Sequence, residues 1–199
     1  MRIIAGKIKG LKLFAPKGMQ VRPTADRVKE SAFSILGEAR IKEARVLDLF
    51  SGSGNLALEA FSRGASTALC VDSNEVSIKY IARNVEKAKA GGYVKVYRGD
   101  ALKSIEFLAR GKKLFDLIFC DPPYEMGWVE LILKKIKKHN ILAKDGIIVI
   151  EYSRHEKFFP PAGLHIERDE QYGETMTAFI CGDALSGGKC EESNLPGQF

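Results

Sequence analysis

Between Arg45 and Glu151 short β-like runs alternate with helical patterns, and this regularity constrains the fold more than any other feature of the sequence. The expected strands are Val46 to Phe50, Ala68 to Asp72, Val94 to Arg98, Phe115 to Asp121 and Gly146 to Glu151. Helices are expected after Gly54, from Asn74 with Ile78, Ile81, Ala82 and Val85 on one face, from Leu102 to Ala109, and around Trp128, Leu131, Ile132 and Ile136. Strand and helix taking turns in this way implies βαβ units, hence an α/β fold with a parallel sheet covered on both faces. The runs near Leu164 to Glu170 and Thr175 to Cys181 have no helix between them and predict a closing hairpin.

With 199 residues the chain has the size of one domain, or one domain with a small appendage. Its net charge of +6 is unevenly placed. The first 22 residues hold Arg2, Lys7, Lys9, Lys12, Lys17 and Arg22 and no acid, whereas the other 177 carry 25 bases against 25 acids. Apolar stretches at Arg2 to Ala5 and Leu11 to Phe14 flank a Gly/Lys turn region, so residues 1–22 are expected to form a basic β-hairpin arm that touches nucleic acid. A helix should follow, with Val28, Ala32, Ile35 and Leu36 on one stripe. Residues 23–183 then form the main domain, and 184–199, rich in Gly, Ser and charge, a disordered tail.

Lysines interrupt the N-terminus before any stretch reaches signal-peptide length, and no apolar run is long enough to span a membrane. The four cysteines lie 50, 61 and 9 positions apart, which matches no zinc-ligand spacing. Cys70, Cys120 and Cys181 sit in apolar runs and are expected to be buried free thiols. A cytoplasmic protein without a metal follows from these features.

Ligands of an open α/β sheet collect beyond the carboxyl ends of the strands. The first strand runs out in Asp48-Leu49-Phe50-Ser51-Gly52-Ser53-Gly54, the second in Asp72-Ser73, the third in Gly99-Asp100-Ala101 and the fourth in Asp121-Pro122-Pro123-Tyr124. Gly52 to Ala57 matches the dinucleotide fingerprint GxGxxG/A, with Asp72 about 20 residues on, so a nicotinamide enzyme is one reading. The spacer from Asp48 to Ser51 tells against it, because an acidic residue ahead of the loop suits a ligand with an ammonium group. S-adenosylmethionine carries one, and Asp72 could receive its ribose hydroxyls.

The fourth strand end favours this second reading. Neither Pro122 nor Pro123 has a backbone N–H, so the loop is stiff, rich in acceptors and poor in donors. The exocyclic NH₂ of a nucleobase needs such a site, since its lone pair becomes nucleophilic only as the C–N bond loses double-bond character. Asp121 and the Pro122 carbonyl could each accept one of its protons, with Tyr124 stacked on the base.

Asp48 to Gly54, Asp72, Asp100 and Asp121 to Tyr124 resemble the motifs of class I S-adenosylmethionine-dependent amino-methyltransferases. That resemblance implies a Rossmann-like, seven-stranded, mostly parallel sheet whose last hairpin strand is antiparallel. It also implies cofactor contacts from Asp48, Phe50, Ser51, Gly52, Gly54, Asp72, Ser73, Asp100, Ala101 and Asp121, with Asp121, Pro122, Pro123 and Tyr124 at the reacting base. Arg2 to Gly6, Lys9-Gly10, Arg22-Pro23-Thr24 with Asp26 to Glu30, and Leu58 to Ala65 resemble the bacterial RsmD family, which methylates N2 of one guanine in 16S ribosomal RNA. The implied partner is 16S ribosomal RNA or a 30S assembly particle, and a monomer is expected. Ser51 and Asn55 stand where the family pattern has small apolar residues, and Glu174 where its closing motif has Asp. Three alternatives stay open: a DNA adenine-N6 methyltransferase, a protein glutamine methyltransferase, and a silent RNA-binding module of the same fold. The first lacks room for a target-recognition domain, and the second prefers Asn where Asp121 stands.

Overall fold

The seven strands expected between Arg45 and Cys181 all join one sheet, in the order β3-β2-β1-β4-β5-β7-β6, in a computed structural model that describes residues 1–15 and 23–183. Lys17, Arg22, Cys190 and the expected tail from 184 lie outside the described residues. The strands are β1 (Arg45–Leu49), β2 (Thr67–Asp72), β3 (Val94–Arg98), β4 (Phe115–Cys120), β5 (Leu142–Ser153), β6 (Leu164–Tyr172) and β7 (Thr175–Gly182). The first five pair in parallel and the β6–β7 hairpin is antiparallel, with β7 against β5.

The two-residue period of each strand sorts its side chains into two cores. Val46, Leu117, Phe119, Val149 and Phe179 pack with the helices α1 (Pro23–Ile41), α2 (Asn55–Ser62) and α3 (Glu75–Lys87). Leu47, Leu49, Ile118, Cys120, Ile148 and Ile150 pack with α4 (Ala101–Arg110) and α5 (Trp128–His139). Both faces are thereby covered, which explains the nearly continuous apolar runs of β4 and β5. Cys70 and Cys120 are buried free thiols, while Cys181 is free and only partly buried. Among the described residues no helix is long and apolar enough to cross a membrane.

Two elements differ from expectation. β5 begins at Leu142 rather than Gly146, its first four residues partly or fully exposed, and the β4–β5 register shifts between Phe115 and Leu117. Lys144 and Asp145 are tolerated there because both are exposed, which leaves their charges in water. The N-terminal pairing is shorter than the two expected strands. Arg2 and Lys12 form one antiparallel bridge, and the Ile3 N–H donates to the Leu11 carbonyl at 3.0 Å. Pairing stops because the Ile4 and Ala5 N–H groups donate instead to the Glu59 carboxylate on α2, at 2.8 and 3.0 Å. The segment lies close along α2: a Cβ on Gly6, whose φ is +82°, would meet the Ser62 carbonyl oxygen at 1.9 Å.

Candidate active site

Strand order reverses between β1 and β4, so a crevice opens beyond their carboxyl ends. The loop after β1 is fixed from both sides. Ser51 Oγ donates to the Asp48 carbonyl at 2.5 Å and accepts from the Val71 N–H at 3.0 Å, bridging the ends of β1 and β2. The Gly52 and Asn74 N–H groups each donate to one oxygen of Asp72, both at 2.8 Å. Gly54, at φ +76°, turns the chain into α2, and a Cβ there would press on Ile81 Cγ2 at 3.2 Å.

A cavity of about 590 Å³ lies over these strand ends. Its wall brings together Asp48, Phe50, Ser51, Gly52, Asp72, Ser73, Asp121, Pro122, Pro123 and Tyr124 from separate parts of the sequence. Three expected cofactor residues stand apart from that wall. Gly54 faces Ile81, Asp100 accepts the Lys103 N–H at 3.0 Å as the cap of α4, and Ala101 is buried behind it. Met1, Lys29, Asn55 and Glu151 line the cavity and were not foreseen. Extending the count of strand ends from four to five would have found Glu151, and reading one residue past Gly54 would have found Asn55; Met1 and Lys29 arrive through tertiary contacts that no local pattern encodes.

Four carboxylates, Asp48, Asp72, Asp121 and Glu151, share this wall. Burial raises the Asp48 carboxyl to about 8, against the Ala57 N–H that supports its charge, while Asp121 and Asp72 repel it further. Burial also raises Glu151 to about 8, with the Asp121 and Asp48 charges adding to the effect. Asp121 opens onto the cavity on one side and is otherwise enclosed by protein, and the lost water raises it to about 6. The arrangement favours a cationic ligand, whose charge would relieve three disfavoured carboxylates together.

At the mouth, Pro122 is buried, and Tyr124 is 41% exposed with its hydroxyl 3.2 Å from Thr175 Oγ1. On the opposite wall the Lys29 ammonium is fully engaged: it donates to the Arg2 carbonyl at 2.6 Å and Asn55 Oδ1 at 2.7 Å, and pairs with Glu59 Oε2 at 3.2 Å. Asn55 thus has a structural reason to stand where the family pattern is apolar.

Arg2, Lys7, Lys9 and Lys12 are exposed, and none forms an ion pair among the described residues. They are not equivalent. Met1 lies on the cavity wall, its Sδ 2.8 Å from Ser53 Oγ, whereas the Lys7 N–H donates to the Ser62 carbonyl at the far end of α2. The hairpin tip is therefore one helix length, roughly 12 Å, from the cavity end. Arg2 and Lys12 face each other near the cavity, while Lys7 Nζ sits 3.6 Å over the Phe61 ring.

A family model described as Conserved hypothetical protein 95 matches residues 1–181, and Ribosomal RNA small subunit methyltransferase D of Escherichia coli is 34% identical over 176 residues, 87% of this chain and 86% of that one. The chain belongs to the RsmD family. The Bacillus subtilis protein YlbH is 37% identical over 179 residues, 89% of this chain and 97% of that one. The solved structure of the Escherichia coli methyltransferase yhhF superposes with a TM-score of 0.81 at 31% identity, over 92% of this chain and 98% of that one. As an RsmD family member the protein is a methyltransferase, and the dinucleotide reading of Gly52 to Ala57 is set aside. The Asp48–Ser51 spacer has a structural use that the fingerprint lacks, since Ser51 ties β1 to β2.

Proposed function

We propose that the protein transfers the methyl group of S-adenosylmethionine to the exocyclic N2 of a guanine in 16S ribosomal RNA, in the cytoplasm. The observation that carries this reading is the juxtaposition, on one cavity wall, of a carboxylate-rich cleft with the donor-poor Asp121-Pro122-Pro123-Tyr124 loop. The wall chemistry fits the cofactor. Sulfonium and ammonium are cations that four carboxylates would attract, and Asp72 keeps acceptor capacity for a ribose diol beyond its bonds to Gly52 and Asn74.

When bound, the cofactor supplies an electrophilic methyl carbon whose C–S bond breaks as N2 attacks, sulfur keeping the electron pair. Asp121 and the Pro122 carbonyl hold the two N2 protons, drawing the lone pair out of conjugation with the ring. Asp121 then takes the proton that the methylated nitrogen must lose and passes it to water. Tyr124 offers a face for stacking at the mouth. The protein's contribution is positioning and fixed charge.

Methyl transfer from labelled S-adenosylmethionine to total RNA and to 30S particles, followed by nucleoside analysis, tests the reading. N2-methylguanosine is expected. N6-methyladenosine as the only product would overturn the guanine assignment, and no incorporation at all would point to the silent RNA-binding module.

A further inference from the structure

We propose that Glu151 makes the pocket selective for guanine by accepting the N1–H that lies beside the reacting amino group, and that Thr177 orients its carboxylate. The inference rests on the guanine-N2 reading above and adds to it the residue that recognises the base.

Cys120 of β4 is in register with Ile150 of β5, so Asp121, just past the end of β4, and Glu151, still within β5, stand side by side and both reach the cavity wall. On the other side of β5, Glu151 is paired directly with Thr177 of antiparallel β7, which puts their side chains on the same sheet face. Thr175, two residues before Thr177, shares that face and lies against the Tyr124 hydroxyl. A base stacked on Tyr124, with its amino group at Asp121, would therefore turn its next polar edge atom toward β5. In guanine that atom is N1–H, a donor; in adenine the atom beside the amino group is an acceptor.

Thr177 supplies a second, independent observation. It is 1% exposed, and its Oγ1 has no hydrogen-bond partner, an arrangement that folded proteins rarely leave in place. Across the ladder it is paired with Glu151 of β5 on one side and Glu170 of β6 on the other, and Glu170 is already engaged by Arg168 Nε at 2.6 Å, which leaves Glu151 as the carboxyl it can orient. A carboxylate that receives the Thr177 hydroxyl on one oxygen and N1–H on the other would satisfy both groups. Burial and the Asp121 charge favour a protonated Glu151, and the positive charge of a bound cofactor would restore the acceptor form.

The test compares guanine with 2-aminopurine, which keeps the N2 amino group but presents an acceptor at N1. The target guanine is first mapped from the methylated product, then replaced by 2-aminopurine in ligated 16S RNA, offered both naked and in reconstituted particles. The wild type should prefer guanine by about 10- to 100-fold in kcat/KM, the discrimination one charge-assisted hydrogen bond provides. Glu151→Gln should lose a similar factor on guanine yet not on 2-aminopurine, because the amide can donate to N1. Thr177→Val should lower guanine turnover and leave calorimetric S-adenosylmethionine affinity unchanged, and undiminished turnover of 2-aminopurine by Glu151→Gln at saturating S-adenosylmethionine confirms a folded pocket. An undiminished guanine preference in Glu151→Gln would overturn the proposal, as would an equal loss on guanine and 2-aminopurine at saturating S-adenosylmethionine, which would place Glu151 on the cofactor. If the wild type makes no N2-methylguanosine, the functional reading itself falls and this inference with it.

Discussion

Lys29 and Glu59 meet in the interior with 3.2 Å between Nζ and Oε2, their side chains 2% and 0% exposed. Burial lowers the pKa of Lys29, and the neighbouring Glu59 charge and hydrogen bond oppose that shift. Around this pair the chain gathers its own first residues: Lys29 holds the Arg2 carbonyl, and Glu59 holds the Ile4 and Ala5 N–H groups and Arg63 Nε. The same contacts set Met1 on the cavity wall. A buried ion pair therefore connects the basic segment, α1, α2 and the proposed cofactor site.

Removing one partner of such a pair leaves an uncompensated charge in the interior, which costs about 3–5 kcal/mol. Glu59→Gln should lower stability by that order in urea unfolding and also weaken S-adenosylmethionine binding by loosening the Met1 wall. A loss below ~1 kcal/mol, the range of exposed pairs, would show that the network is not structural.

Within the cavity, Asp72→Ala should weaken S-adenosylmethionine binding by on the order of 1.5 to 3 kcal/mol, since a charged acceptor for two hydroxyls is lost and the Gly52 N–H loses its partner. Asp121→Ala should largely spare binding, and Asp121→Asn should bind cofactor yet lose turnover roughly a hundred- to thousandfold, because its amide offers donors where acceptors are needed. Calorimetry and single-turnover kinetics separate the two roles. Equal affinity losses at both positions, or normal turnover in Asp121→Asn, would contradict the division.

The βα units and the positions of Asp48, Asp72 and Asp121 were legible in the sequence because apolar periodicity and turn residues are local signals. Strand β3 spans Val94–Arg98, the run that the apolar alternation marks in the sequence. Residues whose place depends on another segment were not legible. Glu59 sits in α2 like any surface helix glutamate, and only the approach of Ile4, Ala5 and Lys29 makes its burial possible. Asn84 likewise reads as an exposed helix residue, yet it donates to the Ser53 and Phe14 carbonyls and accepts the Phe14 N–H. The β1–β4 reversal that gathers the site is a property of strand order, which the alternation alone leaves open.

The carboxylate wall gives a pH dependence of definite sign. Asp48 and Glu151 are raised to about 8 and Asp121 to about 6, each chiefly by burial. The unfolded chain gives up these protons in the ordinary carboxylate range. The stability these groups contribute is therefore present below that range and lost as pH rises through about 6 to about 8. A bound sulfonium and ammonium favour the ionised carboxyls, so cofactor binding should release protons and tighten over the same interval. Calorimetric titration at pH 7 in two buffers of different ionisation enthalpy counts the protons. A count of zero would separate the carboxylates from cofactor binding.

The basic segment should supply RNA affinity without chemistry, and the structure refines which of its charges can do so. Lys7 lies over Phe61 at the hairpin tip, so reversing its charge would disturb packing as well as any phosphate contact. Lys9 and Lys12 have exposed side chains, and Lys12 sits opposite Arg2 at the cavity end. For single strands the slope of log affinity against log salt is about −0.7 per neutralised phosphate, so Lys9→Glu with Lys12→Glu should flatten it by roughly 1.4 and weaken binding at low salt. Adding Arg2→Glu should extend the loss to roughly 2 units. S-adenosylmethionine affinity, measured on the same variants, should not move, since the Lys29 contact uses the Arg2 carbonyl and not its side chain. An unchanged salt slope with intact methylation would mean that these bases only solubilise the hairpin, and the RNA-contacting surface would have to be sought on another face of the domain.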